Sequence, residues 1–561
     1  MIIVRNFATA HFLSGFFLFL AGWGWGLSPV VVFGIPLVVY ALALAGSLPA
    51  LRQVSLVAGL ERLKEVPKFY LFVILLSVFL NILFCLLPPA ENLELDALNY
   101  HLAIPWQYYL RGRVVPLEWS VADKYPLYLQ MAGLPLMTVT FPWVVKIANL
   151  FAFPGLLVVI WHWLSLFLLP ERQRFWVLTL FCVLALYVKQ YGTAMFDLVN
   201  AFYVLLGFYY LVRSVQSVKT PDLLWGSLLL GMVAALKTFF IYNVLVWMAG
   251  FFFWRFFLFR EWPDKRDWIK IGLPFAAALL FLSPVWMRNV WMTGNPFFPL
   301  FLNLFGTVVE NEGVHVVARN VWEQHGYGRS LLDFILAPFR LVFPIHNKFG
   351  YWTDPVLLGF LCGAVFSFKK QRKKIFGLVG LLVVLLFVAF FFMSQEARYL
   401  YSFWILIVVL GSPWVFERFN LKLLNWILVG QLLLGVSSFF LFHRQAILWI
   451  FRGALPNYLS TASYSFLWNR EVENKNIRQL CLRNITGNYV SDILYFTVPV
   501  KLVQHFNTTM SLENPAAAKG CDAFMVGNQE YDGDRNALKN KGRLVSEEEF
   551  LLKIPIPSKT P

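Results

Sequence analysis

The chain has 561 residues, of which 59% are hydrophobic, 18% aromatic and only 14% charged, with a mean hydropathy of +0.63 and a net charge of +16. Soluble chains carry about 25% charged residues, so this composition excludes a soluble enzyme, a disordered protein and a coiled coil, and it points to a multi-spanning membrane protein. Lys and Arg gathering in cytoplasmic loops explain the positive charge, and no nucleic-acid partner is expected; five cysteines without CxxC spacing exclude a disulfide framework.

A bilayer core about 30 Å thick needs about 20 apolar residues per helix. Apolar stretches predict spans near 10–27, 29–48, 69–88, 144–169, 175–188, 198–212, 223–237, 239–254, 271–285, 354–368, 375–393, 399–416 and 423–441. The first two meet at Ser28–Pro29 as a tight hairpin, and the first span is read as retained. KKQRKK (369–374), ERQR (171–174) and the basic residues near 52–68, 213–219, 255–266 and 418–422 fall on one side of this arrangement. That bias predicts a cytoplasmic N-terminus, thirteen crossings and residues from 442 onward outside.

Two long connections, 89–143 and 286–353, then lie on the outer face, where long loops are usually functional. LYLQMAGLPLMTVTF (127–141) is apolar but short, and is read as re-entrant or juxtamembrane. From 452 to 561 charge becomes denser and short β-like runs recur at 478–484, 493–500, 522–528 and 550–555. The expected architecture is an all-α polytopic membrane protein of about 13 transmembrane helices with a small C-terminal soluble α/β domain. Its parts are a hairpin and cytoplasmic loop (1–68), a transmembrane catalytic domain (69–451) and an outer domain (452–561). In an oxidising compartment Cys481 and Cys521 either pair or remain as two buried thiols. Asn484 and Asn507 begin short glycosylation-like patterns.

Chemistry-bearing residues collect on the outer face. Glu94 and Asp96 open the first loop at the membrane surface, where a carboxylate acts as a general base or binds a divalent cation. Tyr100 and His101 follow a turn later, and Lys124 precedes Tyr125-Pro126 at the loop's end. Asp197 stands where a span begins, as a functional acid or an N-cap. Arg288, Glu396 and Arg398 reach the same interface, where arginines suit a phosphate or snorkel at helix ends. Lys237, inside an apolar stretch, ends a span or is buried with a partner.

Four motifs in order resemble the polytopic GT-C glycosyltransferases, nearest the bacterial protein O-mannosyltransferases and aminoarabinose transferases. They are Asp-x-x-x-Tyr-His (96–101) closing on Lys-Tyr-Pro-Leu (124–127), Asp197 at a span start, WGSLLLGMVAALKT (225–238), and WMRN-x4-GNPFFP (286–299) with EARYLY (396–401). The first departs from the family in spacing its acids as Glu94-Leu-Asp96, and Tyr125 stands where many relatives have Pro.

The resemblance implies the GT-C fold and sugar transfer from a polyprenyl-phosphate donor to a glycan, lipid or protein acceptor, with inversion at the anomeric carbon. It implies Asp96 as the base or the acceptor-orienting carboxylate and Asp197 as a second acid that orients the acceptor or holds a cation, either of them the ligand of a divalent cation where one is used. Lys124, Arg288 and Arg398 would bind the donor phosphate, with Glu94, Tyr100, His101, Asn295, Glu396 and Tyr399 as further candidates. The implied setting is a bacterial inner membrane with a periplasmic C-terminal domain. A transporter or flippase, or a ligase or polymerase of lipid-linked glycans, is the alternative class.

Overall fold

The computed structural model describes residues 1–53, 64–85, 101, 103–117, 122–139, 146–193, 196–217, 220–258, 260–298, 302–305, 328–342, 354–370, 374–392, 395–443 and 447, and four strands beyond. Each of the thirteen apolar stretches contains a described helix. In chain order the helices are α1 (Ile2–Gly24), α2 (Pro29–Arg52), α3 (Lys68–Cys85), α4 (Ala103–Leu110), α5 (Tyr128–Ala132), α6 (Leu134–Val139), α7 (Ile147–Leu166), α8 (Glu171–Val183), α9 (Ala185–Val188) and α10 (Asp197–Ser217). They continue as α11 (Thr220–Ala234), α12 (Tyr242–Phe253), α13 (Lys265–Thr293), α14 (Leu302–Phe305), α15 (Leu331–Val342), α16 (Val356–Lys370), α17 (Lys374–Phe392), α18 (Tyr401–Arg418) and α19 (Leu421–Phe442).

Among the described residues nine helices are long and apolar enough to cross a membrane, and α11 and α16 are shorter apolar helices. The chain is an integral membrane protein. The expected thirteen crossings therefore divide into nine full-length candidates and four helices, α8, α11, α12 and α16, that fall short of the length of a bilayer core.

Local chemistry explains the hairpin. Pro29 occupies the first turn of α2, where its missing N–H costs nothing, and the Ser28 hydroxyl accepts from Val31 N. The turn also holds the first long loop, since Leu27 N donates to Gly112 O and Val114 N donates to Gly22 O at 2.9 Å. The stretch 127–141 does not cross: α5 and α6 are single short turns, and α5 is buried against α1. Tyr128 is ringed by Phe12, Phe16 and Phe19 in edge-on contacts, and its hydroxyl donates to Phe281 O at 2.9 Å. Only glycine fits opposite it, because a Cβ on Gly15 would overlap the Tyr128 carbonyl oxygen.

The charged side chains sort to the two ends of the bundle. At one end lie Arg5 over the Trp225 ring, the Arg213–Asp222 pair, and Asp267 held by Arg255 at 2.8 Å and Lys270 at 3.2 Å. At the other lie the ends of α1, α3 and α13 and the starts of α7, α10 and α18. The space between is apolar, with α16 packed on α18, α10 on α7 and α11, and α11 on α13.

In the C-terminal region β1 (Gln479–Arg483), β2 (Leu502–Phe506), β3 (Ala523–Val526) and β4 (Leu551–Leu552) form one mixed sheet in the order β2-β1-β3-β4. β1 runs parallel to β2 and β3, with Leu480 opposite Val503 and Ala523, and β4 is antiparallel to β3. Three strands fall within expected runs. β2 begins just after the expected 493–500, which lies outside the described residues. Parallel neighbours need crossovers of a dozen or more residues, which 484–501 and 507–522 supply.

Gly15→Ala is expected to lower stability by about 1–3 kcal/mol through overpacking. Gly34→Ala, where a Cβ meets open space, is expected to be neutral or stabilising by up to about 1 kcal/mol. Thermal unfolding in detergent checks the contrast.

Candidate active site

Two groups of buried polar residues occupy the second end of the bundle. The first is built around Asp123, in a short turn (Ala122–Lys124) of the first long loop. Its Oδ1 accepts from the Tyr108 hydroxyl at 2.5 Å, and its Oδ2 accepts from Leu117 N at 2.8 Å and Lys124 Nζ at 2.7 Å. Arg288, near the end of α13, lies 3.5 Å from Asp123 Oδ1, donates to the Tyr108 hydroxyl at 3.1 Å and to the Asp123 carbonyl, and covers the Phe19 ring. Arg288 is 1% exposed and Asp123 fully buried. Burial works to raise the Asp123 pKa, but the Arg288 guanidinium, the Lys124 ammonium and the Leu117 N–H outweigh it and hold the carboxyl below its ordinary value.

The motif residues around this pair latch onto one another. Asn289 Nδ2 donates to Lys124 O at 3.0 Å. Gly294 ends α13 in the left-handed conformation, φ +73°. Asn295 is fully buried, and its Oδ1 accepts from Phe297 N at 2.9 Å, which shapes the turn after the helix. The Lys-Tyr-Pro and WMRN-x4-GNP elements are thus two halves of one contact, and Asn295 shapes backbone within it.

The second group surrounds Asp197, the first residue of α10 and 2% exposed. Arg398, in a short turn (Ala397–Leu400), places a guanidinium nitrogen 3.6 Å from Asp197 Oδ2. The same guanidinium pairs with Glu396 and lies 5.5 Å from the Tyr399 ring centre. Tyr399 meets Phe240, in the turn that follows the buried Lys237.

Lys189 joins this group and was missed in the sequence. It feels Arg398, Glu396 and Asp197 directly. Burial and the Arg398 charge push its pKa down, and Glu396 and Asp197 restore it only in part, leaving it at about 8.

The elements carrying this group are bolted together. The Tyr187 hydroxyl donates to Tyr401 O at 3.0 Å while the Tyr401 hydroxyl donates to Leu186 O at 3.1 Å. Asp354 accepts from Ala185 N at 2.8 Å, from Leu186 N at 3.1 Å and from Gln431, capping α9 from beneath. The turn at 190–193 is held by Asn81 Oδ1, which accepts from Gly192 N at 2.9 Å, and by Asn149, which donates to Thr193 O. Gly192 sits at φ +61°, pressed on the Phe84–Cys85 backbone.

His101 lies between the groups. Its Nδ1 is 2.6 Å from Gln130 Nε2, and its ring centre is 4.6 Å from that of Phe196, beside Asp197. The structure thus unites Asp197, Glu396, Arg398 and Tyr399, unites Lys124 and Arg288 through Asp123, and sets Asn295 in the turn that follows the Arg288 helix. Glu94, Asp96 and Tyr100 lie outside the described residues. Among the described residues no group of three or more His, Cys, Asp or Glu suits a metal ion. The carboxylates of Asp197 and Glu396 share a guanidinium, so the described residues do not fit a divalent cation, and no step below is routed through one.

A crystal structure of ArnT from Cupriavidus metallidurans in the apo state matches with a TM-score of 0.50 at 10% identity, over 84% of this chain and 94% of that one. ArnT from the same organism bound to undecaprenyl phosphate gives 0.48 at 12% identity, over the same shares. The archaeal oligosaccharyltransferase AglB from Archaeoglobus fulgidus, in complex with an inhibitory peptide and a dolichol-phosphate, gives 0.41 at 14% identity over 67% of this chain. The chain spans 56% of the length of AglB. No family model and no curated protein matches the chain. The likeness to apo ArnT shows the fold, which is the GT-C fold implied by the four motifs.

Asp123→Asn leaves the Arg288 charge buried without its counter-charge, and is expected to cost about 3–5 kcal/mol. The double variant Asp123→Asn with Arg288→Met is expected to recover most of that loss. Unfolding midpoints of the two single variants and the double variant test the coupling.

Proposed function

We propose that this chain is a membrane glycosyltransferase that moves a sugar from a polyprenyl-phosphate donor to an acceptor on the extracytoplasmic face, with inversion. The observation that carries the reading is the gathering of Asp197, Glu396, Arg398, Tyr399 and Lys189 where apolar spans begin, within a fold shared with ArnT. That ArnT has also been crystallised with undecaprenyl phosphate supports a lipid-linked donor.

The chemistry follows from the groups. The acceptor oxygen attacks the anomeric carbon from the face opposite the phosphate. The acceptor's proton passes to a carboxylate, the C1–O bond to phosphate breaks, and the phosphate leaves carrying one more negative charge. Asp96 is the base, and Asp197, fixed by Arg398, orients the acceptor. Arg398 and Lys189 face the leaving phosphate and stabilise the charge that grows on it. Lys124 approaches from the first loop, and Arg288 contributes to phosphate binding by holding Asp123 and Lys124 in place. Glu94, Tyr100 and His101 are further candidates for the same site.

The membrane is a bacterial inner membrane crossed thirteen times, with a cytoplasmic N-terminus. Residues 452–561 form a periplasmic α/β domain around the mixed sheet. The charge sorting between the bundle's ends supports this orientation.

A transfer assay with purified protein and a panel of radiolabelled polyprenyl-phosphate sugars tests the reading. Wild type is expected to release label from one donor, and Asp197→Asn and Asp96→Asn to lower that rate by about 10²–10⁴. Unchanged rates in folded variants would sink the assignment. Lys189 is charged below pH 8 and neutral above it, so the donor KM of the wild type is expected to rise as pH passes 8. Lys189→Arg, which keeps its charge, is expected to flatten that rise, and a KM profile from pH 6.5 to 9.5 decides.

A further inference from the structure

α15 (Leu331–Val342) lies in the second long loop and has three distinct faces. Ala337, Leu341 and Val342 are buried, and the Phe334 ring sits 5.2 Å from Phe387 and 5.1 Å from Phe391 of α17. Asp333 and Arg340 pair at 2.7 Å on a second side, and the Ser330 hydroxyl and N–H cap the helix through Asp333. On the third, Leu331, Leu332, Ile335 and Phe339 are 52–76% exposed. At 100° per residue these four side chains fall on one arc of about 100°, about 80° from the charged pair, and Val342, buried in the last turn, closes the C-terminal end of that arc.

The position of this apolar arc says what covers it. The span Ile375–Phe392 is 18 residues long, roughly 27 Å at 1.5 Å per residue, so it just crosses the hydrocarbon core and its ends mark the edges. Phe387 lies roughly 7.5 Å short of the end at Phe392. Phe391 lies roughly 1.5 Å short of it, and Phe334, equally close to both rings, is therefore sunk roughly 4–5 Å below the edge of the hydrocarbon. Interfacial amphipathic helices bury their apolar face about 5–10 Å into this boundary. Phe392, 61% exposed, continues the same surface along α17. Arg329 and Gln395 tie the start of α15 to the span, donating to Phe391 O and Gly328 O at 3.1 and 2.9 Å.

We propose that α15 is a membrane-surface anchor: Leu331, Leu332, Ile335 and Phe339 lie among lipid acyl chains, Asp333 and Arg340 face the headgroups and water, and the second long loop is held against the bilayer. The partner is the phospholipid surface itself. The inference stands apart from the sugar-transfer reading, since it needs only that the chain spans a membrane.

The test is nitroxide labelling of the full chain in phospholipid nanodiscs, with its five cysteines replaced by alanine. Leu332→Cys, Ile335→Cys and Phe339→Cys are labelled one at a time and scored on monodisperse samples. Val384→Cys, exposed in mid-span, and Arg266→Cys, exposed at a span end, are the lipid and water references. The expected result is relaxation by oxygen and protection from a water-soluble nickel chelate at all three sites, at a depth of about 5–10 Å. Relaxation by the nickel chelate equal to that at the Arg266 site would place the helix in water and overturn the proposal. Protection from both reagents would place it under a protein surface, and would overturn it equally.

Discussion

A guanidinium inside an apolar bundle has to be answered by a counter-charge, and the pairing of Arg288 with Asp123 is where this molecule answers it. Asp123 belongs to the first long loop and Arg288 to the end of a long helix. Burying either alone would cost several kcal/mol, so the two segments are held as one body. The rest of that end depends on the tie. Lys124 is positioned by its neighbour Asp123, Asn289 clasps the Lys124 carbonyl, and α5 follows directly, packed on α1 where only Gly15 permits the approach. Through Gln130 and His101 the same loop then reaches Phe196, beside Asp197.

The second group uses charge differently. Arg398 is shared by two carboxylates, and Lys189 adds a second cation to the same small volume. Two acids and two bases balance, so the group is not stranded in a low dielectric, with Arg398 ahead of α18 and Lys189 just past the end of α9. The scaffold beneath is rigid: reciprocal tyrosine hydrogen bonds join α9 to α18, and Asp354 caps α9 from below. Fixed dipoles and charges of this kind need no reorganisation when a phosphate gains charge. The first group ties a loop to a helix, and the second is the one on which the proposed sugar transfer rests, although both are built from Arg, Lys and Asp at one end of the bundle.

Much of this was legible in the chain. Each of the thirteen apolar stretches holds a helix among its described residues because hydropathy is a local sum, and a run of Leu, Phe and Val has no cheaper way to satisfy its backbone in lipid than a helix. The ends were less legible: α1 and α13 extend well beyond their apolar cores, since flanking polar residues still take helical bonds. Asp197, Glu396, Arg398 and Tyr399 were visible as polar residues at the starts of spans, and they meet. Lys189 was passed over because it sits at the edge of an apolar run, and Asp123 because an acid in a polar loop carries no local mark of burial.

The sequence by itself determined the solvent this protein folds in, the places where its helices form and the end of the bundle where its polar residues collect. These follow from composition and from neighbours a few residues away. Only the tertiary structure decided which charges answer which: that Arg288 is met by Asp123 while Arg398 serves Asp197 and Glu396, and that α15 leaves an apolar face at the edge of a span. Such pairings join residues far apart in the chain. Their energies depend on distance and burial, neither of which a one-dimensional pattern records.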